Sequence, residues 1–245
     1  MVTCYDAATS KILNETSVDA LLVGDSCAMV VHGFDSTIHA TLEMMVAHTA
    51  ATRRGAPDKV IVADMPFLSF RGSVEAATQS VMQLMRAGAN GVKLERCKGN
   101  AELISRLVDA GIPVMGHLGL TPQSIHEFGG FKMQARNDLT AQTLQEEALE
   151  LEEAGCFSIV LECIPSHVAE RVTEALAIPT IGIGCGPETS GQVLVINDLL
   201  GLDSRVQPPF ARRYMDADQM ITRAIEGYCE DVREREYPGE GEYKV

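Results

Sequence analysis

The 245-residue sequence lacks several features that would place a protein in a class at once. It has no run of about 18 apolar residues, so no segment is predicted to span a membrane as a helix. No charged and then apolar leader precedes the first predicted element, so we expect no secretory signal. Basic residues are scarce as well: 20 Lys and Arg against 34 Asp and Glu give a net charge of −14, which disfavours binding to nucleic acid or to an anionic membrane.

Cysteine is present, but not in a pattern with a defined role. None of the seven cysteines forms a Cys-x-x-Cys pair, and an odd number at scattered positions does not match a disulfide framework. Several lie within apolar runs, as small buried thiols do. We therefore expect reduced cysteines and a cytoplasmic protein. Their positions are Cys4, Cys27, Cys97, Cys156, Cys163, Cys185 and Cys229.

The sequence also lacks internal repeats, low-complexity stretches and Ser/Pro-rich linkers, so we predict one domain over residues 1–245, with a C-terminal helix and tail from about residue 215. With 46% hydrophobic and 22% charged residues, the chain is too apolar to be disordered. Its length is close to the roughly 250 residues typical of a single (β/α)8 barrel.

Short apolar runs alternate with longer segments of helical period along the chain. This alternation predicts repeated βα units, and eight such units close into a (β/α)8 barrel, with an open doubly wound sheet as the alternative. The predicted strands are residues 2–5, 20–24, 59–63, 91–94, 113–116, 157–161, 179–183 and 192–196. The predicted helices are residues 7–16, 41–54, 73–87, 100–110, 140–154 and 166–176.

An ionisable residue directly follows five of the predicted strands: Asp25, Asp64, Glu95, His117 and Glu162. All strand C-termini of a parallel barrel open onto one mouth, so we expect these side chains to share one partly dry crater. Taken singly, an acid after a strand often caps the next helix, and that alternative stays open. Four acids together repel one another in a low dielectric unless a cation or a proton intervenes. Because carboxylates without a Cys or His cluster suit a hard cation, the pattern predicts a Mg²⁺ site.

Lys93 lies two residues before Glu95, on the same side of a strand of period two. It is therefore predicted to point inward to an anionic group of the substrate, with a solvent-facing lysine as the alternative.

The sequence lacks the motifs of a serine hydrolase and of a dinucleotide-binding protein. No G-x-S-x-G elbow supports a Ser-His-Asp triad, and GIGCG at 182–186 does not have the spacing of a dinucleotide fingerprint.

Longer stretches of the sequence resemble the ketopantoate hydroxymethyltransferase family, and the resemblance covers nearly the whole chain. It implies a TIM barrel of the phosphoenolpyruvate mutase/isocitrate lyase superfamily. The matching stretches are LLVGDS (21–26), HTAATRRGAP (48–57), VADMPF (62–67), MRAGANGVKLE (85–95), PVMGHLGLTPQS (113–124), LECIP (161–165), EALAIPTIGIGCG (174–186) and YPGE (237–240).

The resemblance implies a function in pantothenate and coenzyme A biosynthesis. The expected reaction is the Mg²⁺-dependent transfer of a hydroxymethyl group from 5,10-methylenetetrahydrofolate to 3-methyl-2-oxobutanoate, which gives 2-dehydropantoate. By motif matching, Asp25 and Asp64 would hold Mg²⁺, with Glu95 as a further ligand, directly or through water. The family also implies a homo-oligomer, commonly a decamer.

The same motif matching implies which residues meet the keto acid. Ser26, Asp64 and Lys93 would contact it, next to Asp25 at the metal. Glu162 in LECIP would be the proton acceptor. The family pattern gives His117 a place at the mouth, and we expect it to line the substrate site.

The sequence departs from the family pattern beside these residues. The family usually has Gly-Gly after KLE, where this sequence has Arg96-Cys97. One alternative is a C–C lyase or aldolase of the same superfamily acting on another α-keto acid, whose relatives carry a reactive Cys in a lid loop after strand four. Cys97 is the nearby candidate for that Cys. A second alternative is a non-enzymatic binding barrel in which Arg96 neutralises the metal site.

Overall fold

The structure is a computed structural model that describes residues 1–203 and 208–244. Eight strands form one sheet in the order of the sequence, and every neighbouring pair is parallel. The strands are β1 (Val2–Thr3), β2 (Ala20–Val23), β3 (Val60–Asp64), β4 (Gly91–Glu95), β5 (Val114–Gly119), β6 (Ser158–Glu162), β7 (Thr180–Ile183) and β8 (Gly191–Gln192).

The sheet closes on itself where the last strand meets the first. Val2 forms a parallel bridge with Leu194, just beyond β8, and the backbone N–H of Thr3 donates to the carbonyl of Leu194 at 3.0 Å. The terminal amine of Met1 also donates to the carbonyl of Gln192 at 3.0 Å. The eight parallel strands therefore form a barrel, which confirms the (β/α)8 prediction over the open doubly wound sheet.

Helices connect the strands, as the alternating pattern predicted. Ser73 begins one of them as an N-cap, because its hydroxyl accepts a hydrogen bond from the backbone N–H of Ala76 at 3.2 Å, and Gly88 ends the same helix in a left-handed conformation. The helices are α1 (Ala7–Asn14), α2 (Cys27–Val30), α3 (Leu42–Gly55), α4 (Val74–Ala87), α5 (Ala101–Asp109), α6 (Ile125–Phe128), α7 (Asp138–Glu153), α8 (Ser166–Ala175), α9 (Ile196–Leu200) and α10 (Ala217–Glu234), with 3₁₀ turns at Thr37–His39 and Pro122–Ser124.

The strands β3, β4, β5 and β6 run further toward the mouth than the sequence predicted, whereas β1, β2 and β8 end earlier. Asp64, Glu95 and Glu162 are the last residues of β3, β4 and β6 rather than the first residues of the following loops, and His117 lies inside β5. The reason is backbone pairing, since Asp64 still pairs with Lys93 and Glu95 with His117. These side chains are therefore fixed by the sheet, which holds them more rigidly than a loop would.

An apolar layer fills the barrel beneath the mouth. It consists of Leu22, Val62, Met115, Val160 and Val193. Burying a side chain of this kind stabilises the fold by roughly 1.5–3 kcal/mol. Because side chains alternate along a strand, the residues two positions further along β3, β5 and β6 point into the same interior. Those residues are polar, so the barrel carries a charged layer directly above its apolar one.

The chain divides into two compact units, Met1–Val195 and Ile196–Val245. The first unit holds the barrel and every residue predicted for the site. The described residues of the second unit include α9 and α10, and α10 carries exposed apolar side chains at Ile221, Ile225 and Tyr228. Among the described residues, no helix is both long and apolar enough to cross a membrane.

Candidate active site

All seven residues predicted for the site line one cavity of about 100 Å³ at the mouth of the barrel. Five of them are buried, with at most 4% of each residue exposed, whereas the side chain of Glu162 is 16% exposed. Lys93 is among the buried ones, so the prediction that it points inward is confirmed. The lining residues from that set are Asp25, Ser26, Asp64, Lys93, Glu95, His117 and Glu162.

Asp25, Asp64 and Lys93 form one side of this cavity. The backbone N–H of Asp25 donates to Asp64 Oδ2 at 3.0 Å, which fixes the loop after β2 against the end of β3. Lys93 Nζ lies 3.0 Å from Asp64 Oδ1. Both acids therefore sit beside one buried ammonium group, which balances part of their charge.

His117 lies between the buried acids and Glu162. Its Nδ1 is 3.2 Å from Lys93 Nζ and 3.6 Å from Glu95 Oε1, and its Nε2 is 3.1 Å from Glu162 Oε2. The imidazole is thus in contact with both carboxylates through its two nitrogens. His117, which the sequence placed at the mouth without a specific function, connects the proposed proton acceptor to the rest of the cluster.

The pKa values of the cluster follow from burial and from its excess of negative charge. Burial, followed by the charges of Asp64 and Glu95, raises the pKa of Asp25 well above its usual value. Burial alone would lower the pKa of Lys93, but the surrounding carboxylates outweigh it and raise this pKa, so Lys93 is an ammonium ion. Burial and Lys93 lower the pKa of His117, but its contacts with Glu162 and Glu95 more than offset both, so this pKa is raised too.

The donor set fits a hard cation. Glu95 Oε1 is a buried oxygen without a hydrogen-bond donor, and the buried Asp64 Oδ1 has only the Lys93 ammonium beside it, so this group of carboxylates still lacks part of the positive charge that would offset its burial. In the part of the chain that the structure describes, no three His, Cys, Asp or Glu side chains surround one point as a complete metal site. The protein therefore supplies carboxylate ligands for only part of a metal coordination shell. This is compatible with Mg²⁺, which binds proteins through one or two carboxylates and keeps several of its water ligands.

The structure adds Gln123, which the sequence did not single out. Its side-chain Nε2 donates to Asp25 Oδ2 and to the carbonyl of Met65, both at 2.9 Å, and its backbone N–H donates to Glu95 Oε2 at 3.0 Å. One residue therefore orients two of the proposed metal ligands. Its signal in the sequence was its position in GHLGLTPQS, after the fifth strand, but nothing in the spacing indicated which polar residue of that loop would turn inward.

Tyr5 is a second residue that the sequence did not identify. Its hydroxyl lies 2.9 Å from Ser26 Oγ, and the side chain is buried, which raises its pKa. Ser26 belongs to the predicted substrate site, so Tyr5 fixes the hydroxyl that faces the cavity. A tyrosine next to a short first strand gave no sign of this contact in the sequence.

Arg96 and Cys97, the residues that depart from the family pattern, turn away from the cavity. Arg96 makes a bidentate ion pair with Glu127, in which Nη1 and Nη2 donate to Oε2 and Oε1 at 2.8 and 3.0 Å. Its guanidinium also lies over the ring of Phe128. Cys97 is buried, and burial followed by a contact with Glu150 raises its thiol pKa. Arg96 therefore does not neutralise the buried acids, and Cys97 is not the exposed, low-pKa thiol that a nucleophile requires.

The sequence of this chain is similar to a well-defined group of enzymes. The profile of the ketopantoate hydroxymethyltransferase family matches residues 1–240. A 3-methyl-2-oxobutanoate hydroxymethyltransferase of Francisella tularensis subsp. tularensis is 49% identical over 238 residues, which are 97% of this chain and 90% of that protein. The enzyme of the same name from Bdellovibrio bacteriovorus is 47% identical over 242 residues, or 99% of this chain and 92% of that protein.

Solved structures with the same fold are more distant in sequence. A 2,3-dimethylmalate lyase of the PEP mutase/isocitrate lyase superfamily has a TM-score of 0.60 and 17% identity, covering 100% of this chain and 85% of its own. A phosphonopyruvate hydrolase in complex with oxalate and Mg²⁺ has a TM-score of 0.63 and 10% identity, covering 100% of this chain and 86% of its own. At such identities the similarity establishes the fold alone, which is the barrel that the sequence predicted.

Proposed function

Because this chain belongs to the ketopantoate hydroxymethyltransferase family and transfers a hydroxymethyl group to 3-methyl-2-oxobutanoate, we propose that the cavity at the barrel mouth is where this keto acid binds and loses its C3 proton. The observation that carries the proposal is the meeting of seven polar residues in a cavity of about 100 Å³. That volume suits a small acid, since pockets for drug-sized ligands begin at roughly 300 Å³.

Asp25 and Asp64 are the residues proposed to hold Mg²⁺, with Glu95 as a ligand directly or through water. The buried Glu95 oxygen without a hydrogen-bond donor supports this role, as does the Mg²⁺ in the phosphonopyruvate hydrolase complex of the same fold. When bound, Mg²⁺ supplies a Lewis acid that withdraws electron density from the keto group and so makes the C3 proton more acidic. Gln123 keeps the carboxylates of Asp25 and Glu95 oriented.

Lys93 and Ser26 are proposed to bind the keto acid. The Lys93 ammonium is buried and faces the cavity, so an incoming substrate carboxylate would meet a positive charge already held by Asp64. The hydroxyl of Ser26, fixed by Tyr5, would donate to another oxygen of the acid. Such groups are held in place before substrate binds, so little ordering is needed when it does.

Glu162 is proposed to accept the C3 proton. It closes β6 at the rim of the cavity and contacts His117 Nε2 at 3.1 Å. This contact positions the carboxylate, and the proton taken from C3 stays within a hydrogen-bonded pair. The electron pair left on the substrate then forms the bond to the methylene carbon of the donor, which we propose is 5,10-methylenetetrahydrofolate in the cytoplasm. The two C–N bonds that hold this carbon break, a water supplies the hydroxyl group, and tetrahydrofolate leaves with the C3 proton and the remaining water proton on its two nitrogens.

Turnover of 3-methyl-2-oxobutanoate with 5,10-methylenetetrahydrofolate and Mg²⁺ tests this proposal. We expect 2-dehydropantoate to form in the presence of Mg²⁺ and not with EDTA. A folded protein that gives no product above the uncatalysed background would contradict the proposal. No observation favours the lyase alternative, because its candidate nucleophile, Cys97, is buried with a raised pKa.

A further inference from the structure

Two histidines outside the cavity at the barrel mouth face each other through their side chains. His32 follows α2, and His48 lies within α3. Their Nε2 atoms are 2.9 Å apart, and the rings meet edge to face, with centroids 5.1 Å apart and an angle of 66° between the ring planes. Neither residue lines the cavity where the keto acid is proposed to react. This histidine pair is therefore separate from the proposed catalytic site.

A backbone carbonyl fixes the orientation and the tautomer of His48. The Nδ1 atom of this ring lies 2.6 Å from the carbonyl oxygen of Tyr5, which can only accept a hydrogen bond. In the neutral ring, Nδ1 therefore carries the proton, and Nε2 presents its lone pair to His32. Histidines that bind metals are usually held in this way, with the N–H of the other ring nitrogen donated to a carbonyl or a carboxylate. His48 is thus oriented as a metal ligand is.

The distance between the two Nε2 atoms fits a shared metal ion as well as a hydrogen bond. Two nitrogens that each lie about 2.0–2.1 Å from a metal are about 2.9 Å apart in neighbouring right-angled positions, and about 3.3 Å apart in a tetrahedral site. The observed 2.9 Å is the separation expected for right-angled positions. Ni²⁺ and Cu²⁺ bind imidazole nitrogen and favour such positions, so the pair fits these ions better than tetrahedral Zn²⁺.

A metal ion can reach the histidine pair from solvent. His32 is exposed and His48 is partly buried, so water can fill the coordination positions that the protein does not supply. The net charge of −14 attracts cations to the surface of the chain. With two protein ligands, the pair forms an open site rather than a complete cage.

We propose that His32 and His48 bind a divalent transition metal of the Ni²⁺ and Cu²⁺ class through their Nε2 atoms. The metal replaces the proton between the two nitrogens, and His32 takes up a proton from water at Nδ1, so the ring stays neutral. The bound ion connects the residues after α2 to α3. It lies next to Tyr5, whose hydroxyl is 2.9 Å from Ser26 Oγ. The inference does not depend on the proposed function, because it concerns other side chains and another class of metal.

Isothermal titration of Ni²⁺ into the protein, with excess Mg²⁺ present, tests the site. His32→Gln keeps a polar side chain but removes one of the two nitrogens. Binding of Ni²⁺ at the pair should therefore weaken by at least the roughly 10–100-fold that is typical when a group that merely supports a ligand is lost. His167→Gln, at an exposed histidine on α8, is the matched control and should bind Ni²⁺ as the wild type does. Equal binding of Ni²⁺ by the wild type and His32→Gln would overturn the proposal.

Chemical modification tests the same site in the wild type, without any substitution. Diethyl pyrocarbonate attacks the unprotonated nitrogen of a histidine, and peptide mass spectrometry locates the product. In the metal-free pair, the nitrogen of His32 that is open to attack is Nδ1, and this nitrogen becomes protonated when Nε2 binds a metal. Ni²⁺ is therefore expected to protect His32 and not His167. If Ni²⁺ leaves the modification of His32 unchanged, the two histidines share only a hydrogen bond and the proposal is wrong.

Discussion

Glu162 and His117 form the contact on which the proposed proton transfer depends. Replacing Glu162 by Gln keeps the shape of the side chain and removes only its capacity to accept a proton. We therefore expect Glu162→Gln to slow C3 proton exchange by a factor of roughly 10²–10⁴, the usual contribution of a general base. Calorimetry should show that 3-methyl-2-oxobutanoate still binds. Wild-type exchange rates in this variant would assign the base to another residue.

Gln123 makes the contacts that a positioning residue of a metal site would make. Gln123→Ala removes the amide that donates to Asp25 Oδ2, so this carboxylate loses its fixed orientation. We expect Mg²⁺ affinity to fall by about 10–100-fold, as is typical when a residue that supports metal ligands is lost. Isothermal titration with Mg²⁺ measures the change, and Gln79→Ala on the exposed side of α4 is the matched control. Equal affinities in the two variants would show that Gln123 does not support the metal.

Single residues also show what the sequence could and could not predict. Asp64, Glu95 and Glu162 were identifiable because each lies at the end of an apolar run, where the topology alone determines the location. Gln123 and Tyr5 were not identifiable, because their contacts depend on how a loop and a short strand fold back over the mouth. Side-chain contacts between distant elements leave no period in the sequence.

At the scale of the elements, the end of β4 carries backbone strain. Arg96 adopts φ of +70° directly after the strand, a conformation that glycine takes without cost. Arg96→Gly and Arg96→Ala both lose the ion pair with Glu127, so their difference reports only the backbone. We expect the glycine variant to be the more stable of the two by about 1 kcal/mol in urea unfolding.

The same pair of substitutions at Arg106 is the control for that prediction. Arg106 lies within α5, where glycine costs roughly 1 kcal/mol relative to alanine, so the order of stabilities should be reversed. If alanine is the better residue at both positions, the left-handed conformation of Arg96 is not present in solution.

The long elements were predictable and the short ones were not. Strands and helices of several turns carry an apolar period, and all eight predicted strands overlap strands of the structure. The short helices α2 and α6 contain four residues each, too few for a period to show. The sequence therefore predicted the barrel better than it predicted the short helices that follow β2 and β5. The side-chain amide of Asn100, the residue before α5, donates to the carbonyls of Glu95 and Arg96 and so holds the end of β4.

At the scale of the whole molecule, stability should depend on pH through Asp25. Its pKa is raised in the folded state by burial and by Asp64 and Glu95, so folding favours the protonated form. This contribution is complete below the unfolded pKa of about 3.9 and is lost as the pH rises through the folded pKa. In EDTA, we expect Asp25→Asn, which resembles the protonated acid, to gain stability relative to the wild type as the pH rises from about 4 through the folded pKa of Asp25.

Mg²⁺ should reverse that order at high pH. Because the metal binds ionised carboxylates, it stabilises the wild type by about 2.7 kcal/mol at 100 times its dissociation constant, and it should stabilise Asp25→Asn much less. Thermal unfolding with and without Mg²⁺ measures both effects. If the difference in stability between the wild type and Asp25→Asn does not change with pH or with Mg²⁺, Asp25 is not a ligand of the metal.

The assembly state is a further property of the whole molecule. The second unit exposes apolar side chains along α10, including Ile221, Ile225 and Tyr228, which a soluble monomer rarely leaves uncovered together. We propose a homo-oligomer, a decamer by family resemblance. Light scattering is expected to give ten times the 26.4 kDa of the chain. A mass equal to that of the single chain would contradict the proposal.

The central claim is that the charged layer at the barrel mouth removes the C3 proton of 3-methyl-2-oxobutanoate with the help of Mg²⁺. Proton NMR of the keto acid in deuterated water, with enzyme and without any folate, tests it most directly. The C3 signal is expected to disappear at a catalysed rate when Mg²⁺ is present and to persist when EDTA is added. A C3 signal that persists with Mg²⁺, or that disappears equally fast with EDTA, would contradict the claim.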